Sequence, residues 1–212
     1  MSWEKQKQKY AKMACEFIRK TEALKFGEFI LTSGKKSPFY IDMRLFISYP
    51  DIFDKLCEIY AKIIRKEIAK VDRIAGIPTA GLPIATLTSY KLHLPMIYVR
   101  KEPKPHGKSR MIEGILNPND SVVLVDDLIT SGKSLINAAK AIREEGGTVE
   151  HAVTLLDRQQ GGRENLGKER IELHTVISID QLLETLQKTG YIDEKDYQKA
   201  KKYITEEKIP AD

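Results

Sequence analysis

The sequence predicts an α/β fold, in which a mostly parallel twisted sheet carries helices on both faces. Three observations indicate it. Short apolar runs alternate with amphipathic helical stretches from residue 73 onward, as in parallel sheets with crossover helices. Pro and Gly clusters, such as Gly146-Gly147, separate these runs. Hydrophobic residues make up 42% of the chain and charged residues 31%, which fits a globular protein and argues against disorder.

The first 50 residues predict an N-terminal helix followed by a small hood segment. Residues 4–21 place apolar side chains at helical spacing, namely Tyr10, Ala14, Phe17 and Ile18. Residues 26–47 alternate more like strands and are interrupted by a turn at 33–38. A second helix begins at Pro50-Asp51.

The remaining elements follow in regular order. Strands are predicted at 73–77, 96–99, 121–125, 149–156 and 171–177, and helices at about 82–91, 133–145 and 180–189, with another in the Lys-rich end. The segment between Arg100 and Pro118 has almost no apolar periodicity, and a loop of this length is usually functional, often a lid. We expect one domain over 1–212, with a hood region (1–50), a core (51–189) and a helical tail (190–212).

Composition limits the cellular compartment and the classes of partner that the chain is expected to have. The two cysteines, Cys15 and Cys57, fall in predicted helices without a CxxC pair, which favours a reducing cytoplasm. The N-terminus is too polar for a signal peptide, and no apolar run approaches the roughly 20 residues of a membrane span. The net charge of +5 fits a polyanionic ligand, but the basic 100–118 segment lacks the aromatic residues that stack on bases. We therefore expect neither nucleic acid nor membrane as a partner.

The most informative stretch runs from Val122 to Ser134. Four apolar residues form a buried strand, two carboxylates (Asp126 and Asp127) follow, and a small-residue loop then leads into a helix. Backbone N–H groups, hydroxyls and the helix N-terminus of such a loop bind phosphate, while paired carboxylates suit sugar hydroxyls or Mg²⁺. A phosphate at one end and a diol at the other describe a ribose phosphate.

This stretch has two other interpretations. The acids and the Thr-Ser-Gly turn are also compatible with plain helix capping. The ending Gly132-Lys133-Ser134 copies that of a P-loop, but Asp127 stands where that motif needs its first Gly, so we reject the P-loop.

Residues 122–134 resemble the phosphoribosyl pyrophosphate (PRPP) signature of the type I phosphoribosyltransferases, whose fold the chain is then expected to share. Three further segments resemble orotate phosphoribosyltransferases in particular, including the corresponding half of UMP synthases. They are Phe26–Asp42, Arg100–Gly107 and Leu155–Gly162. The matches run in family order from about residue 24 to 186.

The resemblance implies transfer of ribose 5-phosphate from PRPP to orotate, giving orotidine 5′-phosphate and pyrophosphate in UMP biosynthesis. It assigns catalysis to Lys104, His106, Asp126 and Asp127. The residues expected to bind PRPP are these four with Arg100, Lys101, Leu128, Ile129, Thr130, Ser131, Gly132, Lys133 and Ser134. Those expected to bind orotate are Thr130, Arg158, Phe39 and Tyr40.

Mg²⁺ is the expected cofactor, bound mainly through PRPP, with Asp126 and Asp127 as its candidate protein ligands. Ile77–Gly81 follows another strand and is expected to direct N–H groups toward pyrophosphate. Lys104 reaches the neighbouring subunit in this family, which implies a homodimer with shared sites.

Three alternatives stay open at the level of sequence. The first is a phosphoribosyltransferase for another base, against which Arg158 argues because a purine has no carboxylate to bind. The second is a PRPP-binding regulator without turnover. The third is an enzyme that works in complex with a separate decarboxylase.

Overall fold

The computed structural model describes residues 1–30, 34, 36–100 and 111–207. The helices are α1 (Trp3–Lys20), α2 (Pro50–Glu67), α3 (Gly81–Leu92), α4 (Lys133–Glu144), α5 (Gly162–Lys168), α6 (Ile179–Lys188) and α7 (Glu194–Glu206), with a 3₁₀ helix at Met43–Ser48. The strands are β1 (Leu24–Ile30), β2 (Lys36–Ile41), β3 (Arg73–Gly76), β4 (Met96–Val99), β5 (Ile112–Glu113), β6 (Ser121–Ile129), β7 (Thr148–Asp157) and β8 (Glu172–Ser178).

Six strands form the main sheet in the order β5-β4-β3-β6-β7-β8. All neighbours pair in parallel except β5, which is antiparallel to β4. The carboxyl-terminal ends of five parallel strands therefore line up at one end of the sheet, and we call this end the active edge. The strands are β3, β4, β6, β7 and β8. Ligands of open α/β sheets bind outside this edge.

Helices cover both faces of the sheet, as the sequence predicted. Successive strand residues point to opposite faces, and β6 shows this clearly. Val123 and Val125 pack in the core built with α1, α2, α3 and α6. Val122 and Leu124 pack in the core on the other face, with α4 and α5. The predicted α/β class is confirmed.

A two-stranded antiparallel sheet, β1 with β2, forms the N-terminal hood together with the 3₁₀ helix. The Phe39 ring of β2 is fully buried and meets Tyr203 of α7 edge-on, with ring centroids 5.8 Å apart. Helix α7 thus holds the hood against the core. Helix α1 packs against β8 and α6 and belongs structurally with the core.

Three elements differ from the sequence prediction. Strand β6 continues to Ile129, beyond the predicted end at Val125, because its polar residues keep pairing with β7. Helix α5 was not predicted, since a seven-residue helix that begins at the second of two paired glycines shows no clear periodicity. The two-residue strand β5 lies inside the predicted 100–118 loop, of which residues 101–110 lie outside the described part of the chain.

Across the described residues, no helix combines the length and apolar character that crossing a membrane requires.

Candidate active site

Asp126 and Asp127 lie half-buried near the carboxyl end of β6, at the active edge. The backbone orients both carboxylates: the Asp127 N–H donates to Asp126 Oδ1, and the Leu128 N–H donates to Asp127 Oδ1, each at 2.9 Å. From below, the Tyr60 hydroxyl of α2 donates to the Asp126 carbonyl oxygen at 2.8 Å. These contacts hold the acids in place before any ligand arrives.

The predicted phosphate loop forms one wall of a 260 Å³ cavity. Residues 126–135 line it together with the loop residues Pro78, Thr79 and Ala80. Gly132 adopts a left-handed conformation (φ +80°) directly before α4, whose first turn therefore faces the cavity. An N-terminal helix turn attracts phosphate through its free N–H groups and its partial positive charge. The structure thus brings every residue from Asp126 to Ser134 to the lining of one cavity.

Helix α5 supports this loop from behind. The Asn165 side chain donates to the Ser131 carbonyl oxygen at 3.0 Å. A Cβ at Gly162 would lie 2.5 Å from both Ile129 Cγ1 and the Thr130 carbonyl oxygen, so only glycine allows this approach.

The opposite wall of this cavity is the loop that comes after β3 in the chain. The Ile77 N–H donates to the Val125 carbonyl oxygen at 3.1 Å and ties this loop to β6. A Cβ at Gly81 would lie 2.7 Å from that same oxygen and 2.8 Å from Asp126 Oδ1. The start of α3 is therefore in direct contact with the carboxylate pair. Pro78, Thr79 and Ala80 thus line the same cavity as the phosphate loop, and the expected direction of the Ile77–Gly81 N–H groups toward pyrophosphate stays a prediction.

Arg158 follows β7 at the active edge, and its backbone N–H donates to the Ile129 carbonyl oxygen at 3.0 Å. The side chain is only 8% exposed. Its Nε and Nη2 atoms have no hydrogen-bond partner among the described residues. The guanidinium carbon lies 5.2 Å above the centre of the Phe39 ring, a cation–π contact. A buried guanidinium with unused donors is suited to an anionic ligand.

Phe39 and Tyr40 take different positions from the aromatic wall suggested by the sequence. Phe39 is fully buried beneath Arg158, so in the ligand-free chain it supports the guanidinium and presents no exposed face. Tyr40 is half-buried, and its hydroxyl accepts from Arg44 Nη2 at 3.1 Å. The side chains alternate along β2, which explains why neighbouring aromatics point to opposite sides.

Burial shifts the pKa values of three side chains at this site. Burial raises the pKa of Asp127, an effect that hydrogen bonds from Asp126 and from backbone N–H groups, and the charge of Arg44, oppose in part. Burial and then the charges of Asp127 and Asp126 raise the pKa of Tyr60 well above its usual value, so the hydroxyl stays protonated. Burial also lowers the pKa of Arg158. Buried charges of both signs at one edge are typical of a ligand site.

Arg100 directly follows β4 and reaches the same edge. Its guanidinium forms an ion pair with Glu113 at 3.0 Å. It also lines a second cavity of 410 Å³, which shares Pro78 and Ser134 with the first. The other predicted loop residues, Lys101, Lys104 and His106, lie outside the described residues.

Several residues of the site were not found from the sequence. Tyr60 and Gly162 support the acids and the phosphate loop from distant parts of the chain. Tyr60 belongs to no motif, and Gly162 closes the Leu155–Gly162 segment without having been given a role. Arg44 forms a two-pronged pair with Asp42 (2.7 and 2.8 Å) in the hood, and its charge acts on Asp127. The one available signal was the Asp42-Met-Arg44 sequence at the end of the orotate-like segment.

Comparison with known proteins agrees with this architecture. Residues 48–182 match the family model described as the phosphoribosyl transferase domain. The orotate phosphoribosyltransferase of Staphylothermus marinus is 41% identical over 191 residues, which cover 90% of this chain and 93% of that protein. The crystal structure of orotate phosphoribosyltransferase from Aeropyrum pernix superimposes with a TM-score of 0.75 at 31% identity, covering 84% of this chain and 99% of that one.

Larger relatives match over only part of their length. The uridine 5′-monophosphate synthase of Bos taurus is 37% identical over 87% of this chain, which spans 38% of that protein. The structure of Leishmania donovani UMP synthase gives a TM-score of 0.83 at 34% identity, covering 92% of this chain and 42% of that one. Because the matches to full-length relatives extend over nearly the whole of both chains, this chain belongs to the orotate phosphoribosyltransferase family.

Proposed function

We propose that the chain transfers ribose 5-phosphate from PRPP to orotate, giving orotidine 5′-phosphate and pyrophosphate. The observation that carries the proposal is the buried Arg158 guanidinium, whose Nε and Nη2 donors have no partner in the described part of the chain and which lies at the same edge as the phosphate loop. A buried cation without a hydrogen-bonded partner is costly unless a ligand completes it. The carboxylate of orotate is such a ligand, and adenine, hypoxanthine and uracil lack one.

PRPP binding is assigned to the cavity between residues 126–135 and the Pro78–Ala80 loop. Loop N–H groups and the hydroxyls of Thr130, Ser131 and Ser134 are suited to hold the 5-phosphate. Asp126 and Asp127, already oriented by backbone N–H groups, are suited to accept hydrogen bonds from the ribose hydroxyls. We further propose that Thr130, which belongs to this loop, also contacts orotate.

Mg²⁺ fits the same place. The two carboxylates are hard oxygen donors of the type that Mg²⁺ prefers, and Mg²⁺ usually binds through one or two carboxylates together with substrate phosphates. When bound, the ion would neutralise charge that develops on the leaving pyrophosphate. Asp126 and Asp127 are the residues proposed to hold it from the protein side.

In this scheme the protein works through position and charge, without a covalent nucleophile. Positive charge grows on the ribose ring near the carboxylate pair, and negative charge grows on pyrophosphate. We propose that four cationic residues stabilise the negative charge on pyrophosphate, namely Arg100, Lys101, Lys104 and His106. Electrostatic stabilisation of this kind is the largest single contribution to catalysis in many enzymes. Holding both substrates in line at one edge adds the benefit of proximity.

The direct test is a panel of bases with the purified chain, PRPP and Mg²⁺. Orotate, uracil, adenine and hypoxanthine are compared for nucleotide formation, and loss of orotate absorbance gives the rate. Turnover of orotate alone supports the proposal. Turnover of another base would keep the PRPP site but remove the assignment of Arg158, and PRPP binding without turnover would indicate a regulator.

A further inference from the structure

Two histidines and a glutamate meet at the opposite edge of the sheet, away from the active edge. His151 lies near the start of β7, and Glu172 and His174 lie at the start of β8. His151 pairs in register with Glu172, and His174 follows two residues later on the same face. Asp157 lies six positions after His151 along β7, which places this cluster roughly 20 Å from the active edge.

The three side chains offer ligand atoms at metal-site spacing. His151 Nδ1 lies 3.1 Å from His174 Nε2. Glu172 Oε2 lies 3.6 Å from His151 Nδ1 and 4.0 Å from His174 Nε2. A tetrahedral ion with Zn–N and Zn–O distances of about 2.0–2.2 Å holds its ligand atoms about 3.3–3.6 Å apart. The cluster therefore needs only small side-chain movements to close around one ion.

A second set of contacts orients His174 for ligation. Its ring is buried, and Nδ1 lies 2.7 Å from Glu67 Oε2 of α2. Trp3 Nε1 and Lys7 Nζ, both from α1, approach the other carboxylate oxygen of Glu67 at 2.8 and 2.9 Å. This charged neighbourhood holds Glu67 as a carboxylate acceptor, so the His174 proton resides on Nδ1. The Nε2 lone pair then faces His151 and Glu172. Carboxylates that fix a ligating imidazole in this way are typical of metal sites.

The cluster also has access to solvent. A surface groove of 380 Å³ is lined by His151 and Glu172 together with Glu150, Gly167, Arg170 and Ile171. Three protein ligands beside an open groove leave a fourth position for water.

We propose that His151, His174 and Glu172 bind one Zn²⁺ ion, with Glu67 positioning His174. Imidazole nitrogens favour Zn²⁺ over Mg²⁺, so this site is chemically distinct from the carboxylate pair of the active edge. The ion links the amino-terminal ends of β7 and β8 and, through Glu67, helices α1 and α2. Because roughly 20 Å separate this site from the active edge, we expect the ion to stabilise the fold and to take no part in the reaction.

The test uses the full chain without a histidine tag, stripped of metal by a chelator and titrated with Co²⁺ and then Zn²⁺. We expect one ion per chain, visible absorption of tetrahedral Co²⁺ and its displacement by Zn²⁺ but not by Mg²⁺. Trp3 is the only tryptophan of the sequence, so its fluorescence should change with site occupancy. Zn²⁺ should also raise the melting temperature, because it binds the folded chain.

The decisive variants replace ligand residues that are exposed or half-buried, so we expect them to fold. His151→Ala and Glu172→Gln should each weaken Zn²⁺ binding by roughly 100-fold, and Glu67→Gln by roughly 10-fold. Glu150→Gln, an exposed neighbour, and Asp127→Asn at the active edge should bind Zn²⁺ like the wild type. Orotate turnover should be unaffected in His151→Ala.

Two outcomes would overturn the proposal. If the wild-type chain shows no stoichiometric Zn²⁺ binding, the 3.1 Å contact is an ordinary hydrogen bond between two imidazoles. If His151→Ala with Glu172→Gln still binds Zn²⁺ like the wild type, the ion is held elsewhere.

Discussion

Arg158, which is buried, and Asp127, which is half-buried, are ionisable side chains of opposite charge at the active edge. Each has a pKa shifted toward its neutral form by burial, so each is unfavourable for the folded chain when it is charged. Such residues are retained at sites where a ligand compensates them. Replacing either residue should therefore raise the stability of the chain, or leave it unchanged, and lower its activity.

For Arg158, the expected effect of Arg158→Met is a higher urea midpoint of the ligand-free protein together with a loss of orotate turnover. The replacement removes a buried charge that lacks hydrogen-bond partners among the described residues, and it retains a flexible contact on Phe39. Arg19→Gln, at an exposed position of α1, is the control and should change neither property. A clear loss of stability in Arg158→Met would mean that the guanidinium is compensated within the chain.

Asp127→Asn should leave the ligand-free protein as stable as the wild type, or more stable, at neutral pH. The sign follows from the raised pKa: a carboxyl with a higher pKa in the folded than in the unfolded chain destabilises the folded chain while ionised. This penalty disappears as the pH falls through the folded pKa. Asparagine Oδ1 can still accept the Leu128 N–H.

Activity gives the second half of that test. Asp127→Asn should lower kcat/KM for PRPP by about 10²-fold, because a carboxylate accepting from ribose is lost. Chemical denaturation at several pH values and steady-state kinetics measure the two effects. A variant that is less stable at neutral pH and fully active would contradict both expectations.

At the scale of elements, α5 is the support of the phosphate loop, and its two glycines make a matched pair. Gly162→Ala should displace Ile129 and Thr130 and cost about 1–3 kcal/mol of unfolding free energy. It should also weaken PRPP binding, measured by calorimetry. Gly167→Ala lies in the same helix, and no atom of the residues that the structure describes comes within 4 Å of its added Cβ, so it should be neutral or stabilise by about 0.5–1 kcal/mol. Equal effects of the two substitutions would remove α5 from the description of the site.

Helix α5 is also an example of what the sequence alone did not reveal. The strand, the paired acids and the glycine loop are contiguous, so their chemistry was readable from residues 122–134 alone. Helix α5, Tyr60 and Arg44 act on that segment through long-range packing, which leaves no local pattern. The end of β6 was placed too early because polar residues normally mark strand ends, whereas here Asp126 and Leu128 continue to pair with β7.

The burial of Phe39 could not be predicted for a related reason. The Phe39-Tyr40 pair gives no indication of which ring faces the ligand until the hood has been docked by α7. Once the hood is docked, β2 directs Phe39 inward beneath Arg158. The fold class, by contrast, followed from the alternation of strands and helices, which the six-stranded sheet confirms.

At the scale of the whole molecule, the proposed homodimer makes a prediction of its own. If Lys104 acts in the neighbouring subunit, a Lys104→Ala chain and an Arg158→Ala chain each spoil a different part of a shared site. Each alone should lose about 10²–10³-fold in kcat. Mixing them under subunit exchange should restore activity toward one quarter of the wild-type value, because one intact composite site forms in each mixed dimer and half of the dimers are mixed.

Two controls make that experiment decisive. Lys104→Ala should have the same urea midpoint as the wild type, which separates a catalytic loss from misfolding. Analytical ultracentrifugation of each chain reports its oligomeric state independently of activity. A monomeric active chain, or no recovery in mixtures proven to exchange, would exclude the shared site and leave the Arg158 assignment intact.

The most direct test of the central proposal is the ratio of kcat/KM for orotate to that for uracil, measured in the wild type and in Arg158→Gln. If Arg158 binds the orotate carboxylate, the wild type should prefer orotate by about 10⁴-fold, and the variant should lose roughly 10²-fold or more of that preference. A preference that is unchanged in Arg158→Gln would show that another residue recognises the base.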